Sequence, residues 1–266
     1  MKSLLNLIAY LFFCTSHSQQ STASEQVSTF MIEAPQLQGS KKIWLYLPKD
    51  YETSTKRYPV IYMHDAQNLF DAKTSYVGEW NLDEKLDSLN AQVIVVGIEH
   101  GGEKRITELT PYKHEKHGGG NADNYLKFIV KTLKPQIDKQ FRTRSNAGNT
   151  TIIGSSLGGL VSYYAILKYP KVFGKAGVFS PSFWFNRKEI FAVTESRKKI
   201  RTKIYFLCGD SEGDDDMLTD LNKMEKLLST KRGDCKTRTE KIIVKGGKHN
   251  EKLWRDGFVK SYLWLK

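Results

Sequence analysis

The chain has 266 residues, 39% of them hydrophobic and 12% aromatic, which is enough to bury the core of one large domain and excludes a disordered chain. With 41 Lys+Arg against 29 Asp+Glu the formal charge is +12, and it is spread along the sequence apart from a tight cluster at Arg197, Lys198, Lys199, Arg201 and Lys203. No aromatic residues interleave with that cluster, so it reads as a solvated face and not as a nucleic-acid platform, while three cysteines cannot make a disulfide scaffold.

Met1 and Lys2 followed by a ten-residue apolar stretch, Leu4 to Phe13, read as a secretory signal peptide ending at Ser18, too short to span a bilayer as a helix. This predicts an exported protein, periplasmic or extracellular, with no stable membrane insertion. Cys14 could instead be an acylation site, but Phe13 is bulky where a lipoprotein signal wants a small residue. Residues 19–29, rich in Ser, Thr, Gln and Glu, are expected to be a linker, and residues 30–266 one domain.

Within that domain short β-branched and aromatic runs predict strands at Lys42 to Leu47, Pro59 to Met63, Val93 to Ile98, Thr150 to Gly154, Gly177 to Phe179, Lys203 to Cys208 and Lys241 to Val244. Helical spacing occupies Asn81 to Leu89, Asn121 to Phe141, Leu157 to Tyr169, Met217 to Leu228 and Leu253 to Leu265. Alternating strands and helices, with strand runs apolar on both faces, predict an α/β fold: a mostly parallel central sheet covered by helices on both sides, with no large lid. Residues 100–120, rich in Gly, Lys and His, predict a long polar loop beyond a strand end, where open sheets bind ligands.

Directly after the run Thr150 to Gly154 comes Gly154, Ser155, Ser156, Leu157, Gly158, a GxSxG motif between a strand and a helix. A serine on so sharp a turn is exposed in a strained conformation, and side chains at Gly154 and Gly158 would collide with it. The helix that begins at Leu157 aims its free N–H groups at the space above Ser156, where an acyl-transfer oxyanion would form. A hydroxyl needs a base. Of six histidines, His249 follows the last strand and precedes the last helix, in the order nucleophile, acid, base that this fold uses. His64 falls on the oxyanion side.

The acid belongs after the run Lys203 to Cys208, where Asp210 and Glu212 both stand close to the strand end. A calcium loop counted from Asp210 fails, because its sixth residue is Asp215 and its twelfth Leu221. His114 and His117 lack the further ligands that a zinc site requires. No metal or cofactor is called for. The second oxyanion donor is expected from the loop His64 to Phe70, as the amide of Gln67. Cys208 and Cys235 could pair in an oxidising compartment, although spacing alone does not show it.

The stretches IWLYLPKDY, YPVIYMHDAQNLFD, GSSLGGLVSYYAILKYPKVFGKAGVFSPSFWF and KGGKHNEKLWRDGF resemble the esterase D group of the α/β-hydrolase superfamily, over about Lys42 to Leu265. The resemblance implies a serine carboxylesterase with Ser156 as nucleophile, His249 as base and Glu212, three residues past Gly209, as acid. Relatives in this group include feruloyl and acetyl-xylan esterases and siderophore trilactone hydrolases. Ala66 stands where relatives often have Gly, which would reshape the oxyanion loop if that position needs positive φ. Among aromatics near the expected mouth, Trp80, Phe183, Trp184 and Phe185, only Trp184 is expected to reach substrate. The expected partner is a small-molecule or polysaccharide-linked ester. An acyltransferase with a sugar acceptor, or a silent binding fold, are the alternative readings.

Overall fold

In a computed structural model, which describes residues 20–213, 215–231 and 238–266, eight strands form one sheet. They are β1 (Val27–Ala34), β2 (Gly39–Tyr46), β3 (Val60–His64), β4 (Ile94–Ile98), β7 (Thr150–Ser155), β8 (Lys175–Phe179), β9 (Lys203–Gly209) and β10 (Thr239–Val244). A separate hairpin, β5 (Lys113–His114) with β6 (Gly118–Gly119), lies in the stretch expected to be a long polar loop. The spatial order is β1-β2-β4-β3-β7-β8-β9-β10, with β1 and β2 antiparallel and every pairing from β4 to β10 parallel. This is the arrangement of an α/β-hydrolase. Each expected strand is present, and β1 was not foreseen: the stretch expected to be linker up to residue 29 already pairs with β2 from Val27.

The helices are α1 (Leu82–Ser88), α2 (Arg105–Leu109), α3 (Ala122–Phe128), α4 (Lys134–Gln140), α5 (Leu157–Lys168), α6 (Arg187–Glu195), α7 (Asp215–Lys231) and α8 (Glu251–Leu265). The single helix expected over Asn121 to Phe141 is divided by a π turn at Ile129–Leu133. Pro135, in the first turn of α4, has no N–H to donate, and the wider turn absorbs the missing bond.

Alternation along the strands sorts the core into two layers. Ile43, Leu45, Val60, Tyr62 and Ile152 face α3 to α7, while Trp44, Tyr46, Ile61, Met63 and Ile153 face α1 and α8. Every residue of α5 from Leu157 to Leu167 is buried, so this helix packs on all sides and carries no polar stripe. None of the helices among the described residues is long and apolar enough to cross a membrane. Strand polarity fixes where chemistry can sit, because β3, β7, β8 and β9 all end at the same edge.

The expected signal segment, Cys14 and Cys235 lie outside the described residues. Cys208 is buried in β9, and burial raises its thiol far above the usual range, which keeps it protonated and unreactive.

Candidate active site

Ser156 sits between β7 and α5 with φ 57° and ψ −121°, a strained conformation for a residue with a side chain. The turn is held from both sides: the Ser156 N–H donates to Phe179 O at 2.9 Å, and Ser156 O accepts from the N–H groups of Leu160 at 3.0 Å and Ser182 at 3.1 Å. A Cβ on Gly154 would lie 2.5 Å from the backbone of Gly158, so only glycine fits there. The second tight position is Gly159 and not Gly158. A Cβ at Gly159 would meet Phe179 O at 2.7 Å, whereas one at Gly158 comes no closer than 3.4 Å to His64.

The Oγ of Ser156 lies 3.0 Å from His249 Nε2, and His249 Nδ1 lies 2.8 Å from Glu212 Oε2. Residues 156, 212 and 249, scattered along the chain, thus form one hydrogen-bonded line. His249 reaches it on the turn between β10 and α8, where the Asn250 side chain accepts from Leu253 N and caps the helix. The Trp254 ring meets the imidazole edge to face at 5.0 Å, which fixes its tilt.

Glu212, its side chain 2% exposed, receives more than the histidine. Its Oε1 accepts from Ser180 Oγ and from Gly209 N, both at 2.6 Å, and Ser180 Oγ in turn accepts from the Trp254 indole N–H at 2.9 Å. Burial alone would raise this carboxyl, but the hydrogen bonds from His249, Ser180 and Gly209 outweigh it and hold the group below its ordinary value. It stays ionised.

Asp210 is turned elsewhere. Its Oδ1 accepts from Gly246 N at 2.7 Å, bracing the turn that precedes His249. That hydrogen bond is the chief reason its carboxyl sits below the usual value. The two loops press together so closely that a Cβ on Gly209 would come within 2.1 Å of Gly247 O. Ser211 N also donates to Gly247 O. The geometry therefore separates the two carboxylates left open by the sequence: Glu212 faces His249 and Asp210 does not.

The loop after β3 begins with Asp65 in the left-handed region, φ 57°, followed by a 3-10 turn at Ala66–Asn68. Positive φ falls on Asp65, one residue before Ala66, so alanine in place of glycine leaves the backbone undisturbed. Arg105 of α2 clamps Asp65 in two parallel bonds, Nε to Oδ1 at 2.7 Å and Nη2 to Oδ2 at 2.8 Å. Burial pushes the Asp65 carboxyl up, and the Arg105 charge and hydrogen bonds bring it below its ordinary value. Leu69 N donates to Ala66 O, which fixes the peptide plane that carries the Gln67 N–H, and Thr74 Oγ donates to Gln67 O at 2.7 Å. Leu157 is the first residue of α5, where an N–H has no acceptor within the helix.

Other expected residues divide clearly. His64 is fully enclosed, bonded through Nδ1 to Tyr125 OH at 2.8 Å, and burial lowers its imidazole to about 4, so it stays neutral. Phe183 and Phe185 are core, while Trp184 is 36% exposed. Trp80 is not at a mouth: it is 3% exposed and stacks on Phe179. The rings of His114 and His117 lie 6.3 and 6.0 Å from that of Trp184, forming an aromatic rim. Sequence reasoning missed Ser180, Ser182, Trp254 and the Asp65–Arg105 clamp. The Oγ of Ser182 stands 3.2 Å from that of Ser156. The paired serines of the FSPS stretch after β8 were the available signal.

The sequence matches the Esterase family, described as Putative esterase, over residues 34–265. The chain belongs to this family. It is an ester hydrolase with an α/β-hydrolase fold. This esterase is 27% identical over 238 residues to the Bacillus subtilis protein YbbA, described as uncharacterized, covering 85% of this chain and 93% of that one. It is 29% identical over 153 residues to the ferri-bacillibactin esterase BesA of Bacillus subtilis, covering 52% of each chain. Among solved structures, the BES protein from Bacillus cereus superposes with a TM-score of 0.73 at 22% identity, covering 93% of this chain and 97% of that one. The enterobactin esterase FES from Shigella flexneri does so with a TM-score of 0.68 at 17% identity, covering 92% of this chain and 60% of that one.

Proposed function

We propose that this esterase is an exported serine hydrolase acting through an acyl-enzyme on Ser156. The observation that carries the reading is the unbroken line of hydrogen bonds from Glu212 through His249 to a serine on a strained turn. His249 Nε2 takes the proton as Ser156 Oγ attacks the ester carbonyl carbon. The resulting oxyanion accepts from the N–H groups of Leu157 and Gln67. Collapse expels the alcohol, which leaves with the proton from His249, and water then repeats the sequence to release the acid. Glu212, kept ionised, orients the imidazole and balances the charge it gains.

The relatives and the rim support a substrate class. A siderophore ester agrees with the named activity of BesA, and a carbohydrate-linked ester would suit the half-open aromatic surface at Trp184, His114 and His117. Export rests on the sequence of Met1 to Ser18.

A fluorophosphonate probe tests the assignment of the nucleophile. The wild type should label and Ser156→Ala should not; equal labelling of both, or none of the wild type, would overturn it. Product analysis on acetyl, feruloyl and trilactone esters then identifies the acyl group. Ester transfer to an added sugar in preference to water would make the protein an acyltransferase.

A further inference from the structure

The end of the sheet opposite Ser156 carries a charge distribution that ester hydrolysis does not use. A cavity of about 560 Å³ opens there, and Lys56, Arg57, Arg144, Lys175 and Lys266 line it. A second, of about 410 Å³, is lined by Lys171, Lys199, Arg201 and Arg238. The two meet at consecutive residues, Gly148 with Asn149 and Gly174 with Lys175. No Asp or Glu lines either one.

Lys175 and Lys203 begin neighbouring strands and pair in register, which sets two cations side by side. Burial, and then the Lys203 charge, lower the Lys175 ammonium below its ordinary value. Among the described residues only Lys56 of the nine lining cations has an ion-pair partner, Asp50 at 3.6 Å. The basic cluster that reads in sequence as a plain solvated face is therefore one edge of a larger, folded surface, joined by Arg57, Arg144, Lys171 and Lys175 from distant segments. Like charges gathered without counter-ions repel one another, and a polyanion would relieve that cost.

Two apolar side chains select which polyanion. Leu89 and Leu263 stand at the rim of the larger cavity, 37% and 44% exposed. A base or sugar would stack on an aromatic ring, but the two tyrosines of the rim that could offer one, Tyr58 and Tyr262, are 1% and 7% exposed. Leucines beside lysine and arginine fit a bilayer surface, where phosphates meet the cations and the leucines reach the acyl-chain boundary.

We propose that the edge where the parallel strands begin is a docking surface for an anionic phospholipid bilayer, which the protein binds peripherally with its active site turned away. Ser156 then lies about 20 Å above the lipid, roughly the length of strands of five to seven residues.

Co-sedimentation of the full chain with vesicles at about 0.15 M salt tests this. Binding is expected to equimolar phosphatidylglycerol and phosphatidylcholine and not to phosphatidylcholine alone. Reversing Arg57, Lys171 and Arg201 together to Glu should weaken it at least about tenfold. Reversing Lys104, Lys113 and Lys116, on the opposite side of the molecule, should weaken it by less than about threefold. Leu89→Ser with Leu263→Ser, at exposed positions that tolerate the change, should also weaken vesicle binding and serves as the test if the triple variant does not fold. The proposal is overturned if anionic vesicles are not bound, if both triple variants weaken binding equally, if the leucine pair has no effect, or if duplex DNA or polygalacturonate binds more tightly than the vesicles.

Discussion

The two ends of the parallel sheet treat charge in opposite ways. Where β3, β7, β9 and β10 end, Glu212, Asp210 and Asp65 each meet a dedicated donor: His249, the Gly246 amide and Arg105. Where the same strands begin, cations are collected with almost no carboxylate among them. Buried charge is costly unless paired, whereas the cations at the other end are exposed except for half-buried Lys175 and need no fixed partner, so the two ends mark different tasks. The paired end fixes atoms in position. The unpaired end stores charge that an outside partner can satisfy.

The sharpest way to break the comparison is at the paired end. Ser156→Ala should lower turnover by roughly 10⁴- to 10⁶-fold with the fold unchanged, measured on a chromogenic ester and by circular dichroism. Glu212→Gln should cost roughly 10³-fold, while Asp210→Asn, which keeps an acceptor for Gly246, should stay within about threefold. The reverse order would reassign the acid.

Arg105→Gln leaves Asp65 buried without its clamp and loosens the oxyanion loop, lowering kcat roughly 10- to 100-fold with a smaller change in KM. Asp65→Gly in that background should recover most of the loss, because glycine takes φ 57° freely and removes the orphaned carboxylate.

Asp83 in α1 is a partial exception that sharpens the rule: its Oδ2 accepts from Ser24 N at 2.7 Å, while its Oδ1 is buried without a partner. Asp83 lies within reach of Glu79 and Glu84, and burial raises its carboxyl to about 7. A folded-state value above the unfolded one means that stability is full at low pH and falls as pH rises from about 4 to about 7. Asp83→Asn should therefore stabilise the protein at pH 8 by on the order of 1–2 kcal/mol and have little effect at pH 4, read by thermal melting. The smallest effect is expected at the unpaired end, where the Arg57, Lys171 and Arg201 reversal should alter kcat/KM on a soluble ester by less than about twofold.

Much of this was legible in the chain. Strands β3, β4, β7 and β9 are short apolar runs bounded by polar residues, and burial on both faces leaves that pattern undisguised. Strand β1 was not legible, because at the sheet edge only Ile32 and Ala34 of its eight residues are buried and its Ser, Thr and Glu resemble a tether. Motif and order located Ser156 and His249. Choosing between Asp210 and Glu212 needed backbone detail, since the Gly209 amide holds Glu212 and the Gly246 amide draws Asp210 away from the imidazole. The Asp65–Arg105 clamp joins positions 40 apart, a relation that no local pattern records. The basic cluster around Arg201 was visible, but its other half comes from three separate segments.

The near-contact of Gly209 with Gly247 has a consequence for anyone wishing to recombine this enzyme with its relatives. The segments bearing Glu212 and His249 behave as one interlocking part, so grafting either from another scaffold without its mate would force two main chains into the same space. Exchanges meant to alter specificity belong instead on the β5–β6 hairpin and the turn bearing Trp184, which can be swapped without touching that joint.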